Sequence, residues 1–334
     1  MTSKVDEAYR ARVAAAAETA IEDSVAICKP LLARMRSVLE SSATFEEAIR
    51  RARDDLVDER FIDELGSLLF DSMLMADSLG RSQLVEKDRL YSHEQKRASA
   101  KLVAGKYVIS GNSLSWYAGQ DPSLRISFDL IPREAVEFLR RRAFWISGMK
   151  NQEILDAIQG RLEAALKEGR SYRDFQREVS PLLDTLGLSG PEPARMQTVF
   201  RTNIFSAYTV GQMEQVVGMH DRFPLWRYVA IKDDRTRPSH RALDGQVFRV
   251  GEGPIPPIDF NCRCTMQFLH QFEVEREQPP IVEDPEALLR KLQAQFGGGE
   301  IQQFDIKREF EEWLRRKMEG LDKRIVHAVS ERLK

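Results

Sequence analysis

The chain has few cysteines, almost no net charge and no long apolar run, and each shortage excludes something. Three cysteines among 334 residues are too few for a disulfide framework and fit a reducing compartment. No stretch reaches the ~18 uninterrupted apolar residues that a membrane-spanning helix needs. The amino-terminal stretch alternates Ala with charged residues and lacks both an apolar h-region and a small-residue cleavage site, so no signal peptide is expected. With 50 basic against 52 acidic side chains the net charge is -2. That excludes a polycationic DNA binder and gives no overall pull toward an anionic membrane. Internal repeats are absent, and low complexity is confined to Gly297-Gly298-Gly299. What is present is enough chain for one large domain or two modest ones, each with a buried core.

Residues 1 to about 85 read as helices. Thr44-Phe45-Glu46-Glu47 is a capping-box start, Thr44 accepting from the N3 amide while Glu47 reaches back. Pro30 is expected to end or kink the first helix. Ile126, Phe128 and Leu130 alternate with Ser127 and Asp129, which predicts a short half-buried strand. Pro132 suits the first position of a new helix. Ile154, Ile158, Leu162 and Ala165 form a helical stripe ended by Gly169, and Ser171 caps the next helix with Asp174 at N3. Pro181, Gly187, Gly190, Pro191 and Pro193 mark a connecting loop, and a further helix runs from Arg201 to about Val217.

The pattern then changes. Trp226, Tyr228 and Ala230 alternate with Arg227, Val229 and Ile231, predicting a strand, with further strands over 246–250 and 264–269. After Pro279-Pro280 comes another helix, then the glycine triplet as a hinge. An amphipathic tail follows, carrying Phe310, Leu314, Met318, Leu321, Ile325 and Val329 on one stripe, with Gly320 as a break. Such a tail docks on its own domain or binds a partner. The fold class expected is α+β, mainly α-helical: a helical body with a small β-containing signature subdomain. Three regions are expected: 1–131, mainly helical with a short β/loop segment; 132–275, helices then a small sheet; and 276–334, a helical tail with a Gly hinge.

Reactive residues concentrate between Trp226 and Cys264. Asp233, Asp234, Arg235, Thr236 and His240 precede a turn marked by Gly245, and Asn261, Cys262, Arg263 and Cys264 follow a second turn. Two of the three cysteines fall within three residues. The arrangement resembles the phage Mu F-like minor head proteins, a family of phage head morphogenesis proteins. Its Asp-x-Arg-Thr stretch is matched by Asp233, Arg235 and Thr236, followed by His240 and Gly245. Its closing Pro-Pro-x-x-x-Asn-Cys-Arg-Cys is matched by Pro256, Pro257, Asn261, Cys262, Arg263 and Cys264. Upstream, Ala143 with Trp145, the run from Glu168 to Ser171, Asp174-Phe175, Arg201-Thr202, Ala207 and Gly211 fit as well. The likeness covers roughly residues 135 to 272. It departs at Asp259, where family members often carry His.

The resemblance implies a minor head (capsid) protein that assists prohead assembly, DNA packaging or ejection. Its implied partners are the portal protein and the major capsid protein, with packaged DNA as a further contact and no membrane. Its implied location is the virion head, and the host cytoplasm during assembly, in a phage or prophage setting.

Cys262 and Cys264 leave one face of a strand, and a disulfide between them would close a very small, strained ring. Two readings stay open. Both thiolates, with His240 and with Asp259 at the position where the family has His, can form a tetrahedral zinc site. Alternatively, the cysteines are small core residues and His240 makes an ordinary hydrogen bond. Asp233 to Pro238 reads as a strand-to-helix turn, with Pro238 in the first turn of a short helix and Gly245 ending it in the left-handed conformation. Thr236 or either Asp is expected to cap amides there, and Arg235 to pair with Asp233 or Asp234. Catalysis is not expected: no nucleophile elbow, HExxH or P-loop pattern accompanies these residues. The alternative kept is a metal-dependent hydrolase acting on DNA or protein during head maturation. Arg140-Arg141-Arg142 reads as a solvated helix face or a phosphate contact; Cys28 and His93 receive no role.

Overall fold

A computed structural model of the chain describes residues 4–55, 57–91, 130–168, 194–296 and 306–334. Among the described residues the helices are α1 (Lys4–Ser41), α2 (Phe45–Asp55), α3 (Glu59–Tyr91), α4 (Arg133–Lys167), α5 (Ala194–Val217), α6 (Pro238–Leu243), α7 (Gln271–Glu277), α8 (Pro285–Phe296), α9 (Ile306–Met318) and α10 (Lys323–Leu333). The strands are β1 (Leu225–Val229), β2 (Val247–Arg249) and β3 (Thr265–Leu269), forming one sheet of order β2-β1-β3. The chain is therefore mainly helical with a small antiparallel sheet, an α+β protein as patterning implied. No described helix is long and apolar enough to cross a membrane. The expected strand near Ile126, the Gly169, Ser171 and Asp174 boundary, the loop over 181–193, His93 and the glycine triplet lie outside the described residues.

Two compact units are present. The first draws on Met1–Glu18, Asp71–Val136 and Thr198–Ile306, the second on Thr19–Phe70, Glu137–Gln197 and Lys307–Lys334.

In the second unit, Pro30 does not end α1 but lies inside it, so of the two effects expected, an end or a kink, the end does not occur. An interior proline costs about 3 kcal/mol. Leu31, Met35 and Leu39, all buried on the following turns, each contribute roughly 1.5–3 kcal/mol and outweigh it. The α2 start forms as a shifted capping box. Thr44 Oγ1 accepts from the Glu47 amide at 3.1 Å, while Glu47 reaches back to the amide of Ala43 at 2.8 Å, one residue earlier than the usual pattern. Asp58 caps α3, accepting from the amides of Arg60 and Phe61. In the first unit, Pro132 stands just before α4 instead of inside it, and its carbonyl accepts from Ala135 and Val136. The tail docks within the second unit: Leu314, Ile325 and Val329 are buried, and a Cβ on Gly148 would meet Val329 at 2.7 Å. Met318, at the end of α9, is 36% exposed, and Gly320 does separate α9 from α10. The arginine triplet is largely engaged. Arg140 donates to the Arg332 carbonyl, Arg141 pairs with Glu311, and burial pushes the Arg142 guanidinium down to about 10.

In the first unit, β1 is central because its alternation supplies two faces. Trp226 and Tyr228 point into one core with Phe248, Phe268 and Met266, while Leu225 packs with Val247 and Leu269 on the other side. Trp226 sits directly between Phe248 on β2 and Phe268 on β3. Its ring stacks on Phe248 with centroids 4.9 Å apart. Helices α3 and α5 cross at glycines. A Cβ on Gly80 would lie 2.1 Å from the Tyr208 carbonyl oxygen, and one on Gly211 would lie 2.2 Å from that of Asp77. Wholly buried Lys87 on α3 reaches Asp6 at 2.8 Å, Glu273 at 2.8 Å and the Phe268 carbonyl at 2.6 Å. Gln83 and Gln267 donate to the same Asp6 carboxylate.

Candidate metal centre and signature loop

Beyond β1 the chain turns on Asp233. Its Oδ1 accepts from the Arg235 amide at 3.2 Å and from the Thr236 hydroxyl at 3.1 Å, and Arg241 donates to its carbonyl at 2.6 Å. Pro238 then opens α6 at its first turn, and Gly245 (φ +83) follows in the left-handed region. Arg237 occupies the N-cap without a capping bond, and of Thr236 and the two aspartates it is Asp233 that caps an amide of the turn, that of Arg235. The Thr236 hydroxyl donates instead to Ile231 O and Asp233, closing the turn on itself. Asp244 Oδ1 accepts from the Ala230 amide at 2.9 Å, which fixes where β1 ends.

The second half of the signature is tied to the first by a fork. Arg263 Nη1 donates to Asp233 Oδ2 and Nη2 to Oδ1, both at 2.7 Å, the bidentate geometry that a guanidinium suits and an ammonium does not. The hydrogen bonds from Arg263, then that from Thr236, hold the Asp233 carboxyl well below the usual carboxylate range. Arg235 adds a looser pairing to Asp233 at 3.6 Å. Asn261, at φ +59, carries the loop onto α5: its amide donates to Thr202 Oγ1 at 3.1 Å and its Nδ2 to Thr198 Oγ1 at 2.7 Å. Arg237 donates twice to the Phe260 carbonyl at 3.2 Å.

Between these ties, three buried side chains converge. His240 Nδ1 lies 3.5 Å from Cys262 Sγ and 3.5 Å from Cys264 Sγ, and the three ligand atoms fall within 4.8 Å of one another. The two thiols shift in opposite directions. The hydrogen bond from Cys264 and then His240 lower Cys262 well below the ordinary thiol value, while Cys262 and then burial raise Cys264. Tyr228, wholly buried, lies against both sulfurs; its hydroxyl is left without a well-formed hydrogen bond.

The predicted residues therefore separate. Asp233, Arg235, Thr236, His240, Gly245, Asn261, Cys262, Arg263, Cys264 and Thr202 are brought together. Asp259 is not among the converging ligand atoms; its side chain is 44% exposed and faces Arg237 Nε at 3.3 Å. Asp234 is exposed. Arg201 turns instead toward Glu18, at 2.6 Å. Thr198, Tyr228 and Asp244 were not anticipated. The one available signal was that Tyr228 shares the inward face of β1 with Trp226.

This is the segment that comparison with known proteins recovers. Residues 156–267 match the family described as Phage Mu protein F like protein. Over this segment the chain is similar to the Phage Mu F-like family. The Mu-like prophage FluMu F protein of Haemophilus influenzae is 34% identical over 159 residues, 42% of this chain and 38% of that protein. The putative capsid assembly protein F of Escherichia phage Mu is 31% identical over 148 residues, 38% of this chain and 34% of that protein. An uncharacterised Haemophilus influenzae protein is 23% identical over 273 residues, 77% of this chain and 59% of that protein. The chain thus spans little more than a third of the length of the first two relatives. No solved structure matches. The Mu F-like match ends at residue 267, inside β3, so it takes in the whole converging cluster and its Arg263–Asp233 fork.

Proposed function

We propose that this Mu F-like chain is a minor head component that assists prohead assembly, DNA packaging or ejection, acting at the portal or the inner capsid wall. The observation that carries the reading is a signature loop locked from three sides inside the segment shared with the phage Mu and FluMu F proteins. The Arg263–Asp233 fork, the Asn261 bonds to Thr198 and Thr202, and the Arg237 bonds to Phe260 O fix its backbone. They leave Phe260 68% exposed, and a rigidly presented aromatic is the kind of residue that anchors a protein interface. The segment 132–275 is then the assembly domain, with 1–131 and 276–334 as flanking regions. The portal protein and major capsid protein are the partners, with packaged DNA as a further contact, in the virion head and, during assembly, in the host cytoplasm.

The action is binding and scaffolding without turnover. His240, Cys262 and Cys264 sit within the apolar core with Trp226, Phe248 and Phe268, where a macromolecular substrate has no approach. Quantitative mass spectrometry of purified proheads and particles from an induced culture tests the role. A few copies per portal is the expected result. Absence from both, with the protein free in the lysate, overturns it.

A further inference from the structure

We infer that the first unit binds one zinc-class divalent cation through His240 Nδ1, Cys262 Sγ and Cys264 Sγ, with the Tyr228 hydroxyl oxygen closing the fourth position. Geometry carries this. In a tetrahedron with Zn–N of about 2.0–2.1 Å and Zn–S of about 2.3 Å, the N···S edge is about 3.5 Å. Both His240–cysteine separations are 3.5 Å. A single imidazole nitrogen equidistant from two sulfurs is poorly explained by one thiol hydrogen bond, because one lone pair serves one donor well. A shared cation explains both distances at once.

The Tyr228 hydroxyl is an independent observation. A buried hydroxyl left without a well-formed hydrogen bond costs up to roughly 1–3 kcal/mol, and the Tyr228 oxygen meets only the two sulfurs, neither in good geometry. Supplying a cation beside it removes the penalty. The donor set also selects the ion: two thiolates and an imidazole suit zinc, whereas calcium and magnesium require oxygen cages. Each cysteine ligates as a thiolate, so loading releases thiol protons to solvent.

The role is structural. Tyr228 belongs to β1, His240 to α6, and the cysteines to the loop that leads into β3. These elements otherwise meet through a short sheet whose edge strand β2 has three residues. A cation at their junction joins the two halves of the signature. It does so without solvent access, since all four side chains are buried. This inference is independent of the head-assembly role; a free lysate protein binds the ion equally well.

The test uses the full chain. Metal content after purification without chelator is expected at about one zinc per chain. Replacement by cobalt(II) is expected to give thiolate-to-cobalt charge-transfer absorption and the intense d–d bands of a tetrahedral site. His240→Ala and Cys262→Ser lose both signals, and stripping zinc from the wild-type chain lowers its melting temperature, a readout that survives if the variants fail to fold. Tyr228→Phe keeps the charge-transfer band and shifts the d–d envelope. A folded wild-type chain that purifies without metal, gives no charge-transfer band on cobalt titration and melts identically with and without chelator overturns the site. A Tyr228→Phe spectrum identical to wild type overturns the assignment of the fourth position.

Discussion

Asp233 and Arg263 meet side-on, each carboxylate oxygen 2.7 Å from its own guanidinium nitrogen, across thirty positions of chain. Because Arg263 holds the Asp233 carboxyl below its unfolded value, the sign of its pH dependence is fixed. Its contribution is complete above the ordinary carboxylate range and declines as pH falls below about 4. Asp233→Asn is expected to lower the melting temperature at pH 7 and to flatten the acid limb of a melting-temperature profile. Arg263→Lys keeps the charge but not the fork, and should fall between the two. An unchanged acid limb in Asp233→Asn would show that the pair contributes nothing to stability.

The α3–α5 crossing leaves no room for a methyl group. Gly80→Ala and Gly211→Ala each force a Cβ onto a carbonyl oxygen of the facing helix. Overpacking of this kind costs about 1–3 kcal/mol and sometimes more, and backbone on the receiving side places both at or beyond the upper end. Gly160→Ala is the control: it is helical with nothing within 4 Å of its added Cβ, so it should be neutral or stabilising by up to about 1 kcal/mol. Urea titration of the three variants measures the difference.

Lys87 answers two buried carboxylates, so deleting it removes the ammonium that both share. Lys87→Met is expected to cost about 3–5 kcal/mol. Adding Asp6→Asn and Glu273→Gln to that variant removes the uncompensated charges and should recover part of the loss. Equal loss in the single and triple variants would mean that the cost comes from packing and not from charge.

Asp71 is 6% exposed, and burial pushes its carboxyl up to about 7. The folded state therefore holds a proton that the unfolded state releases, and stability falls as pH rises from about 4 toward 7. Asp71→Asn should raise the melting temperature at pH 8, with little effect at pH 4. At about 1.4 kcal/mol per unit of separation, the gain can reach about 4 kcal/mol.

Legibility followed physical range. The strands were readable because Trp226, Tyr228, Phe268 and Met266 alternate with period two, and α6 because Pro238 and Gly245 mark its ends locally. Pro30 does not end its helix because the penalty is local while the burial that offsets it is tertiary. Helix α7 was missed because its start rests on His270, an unusual cap whose ring accepts from Phe272 while Glu273 closes the box. At the site, His240, Cys262 and Cys264 stood out by chemical type. Tyr228 did not, since an inward aromatic on a strand looks like core until its hydroxyl is found without a well-formed hydrogen bond. Asp259 looked suitable by position; Arg237, nearby in space and distant in sequence, faces it instead.

Asp6 has a consequence for how the chain is made. Its carboxylate accepts from Gln267, 261 positions later, and from Lys87, which also needs Glu273. At about 5–20 residues per second, the ribosome delivers those partners roughly 13–50 s after the first helix emerges. Until then Lys87 has neither Glu273 nor the Phe268 carbonyl. The buried group around Lys87 is therefore completed only once the last strand and the helix after it have been made.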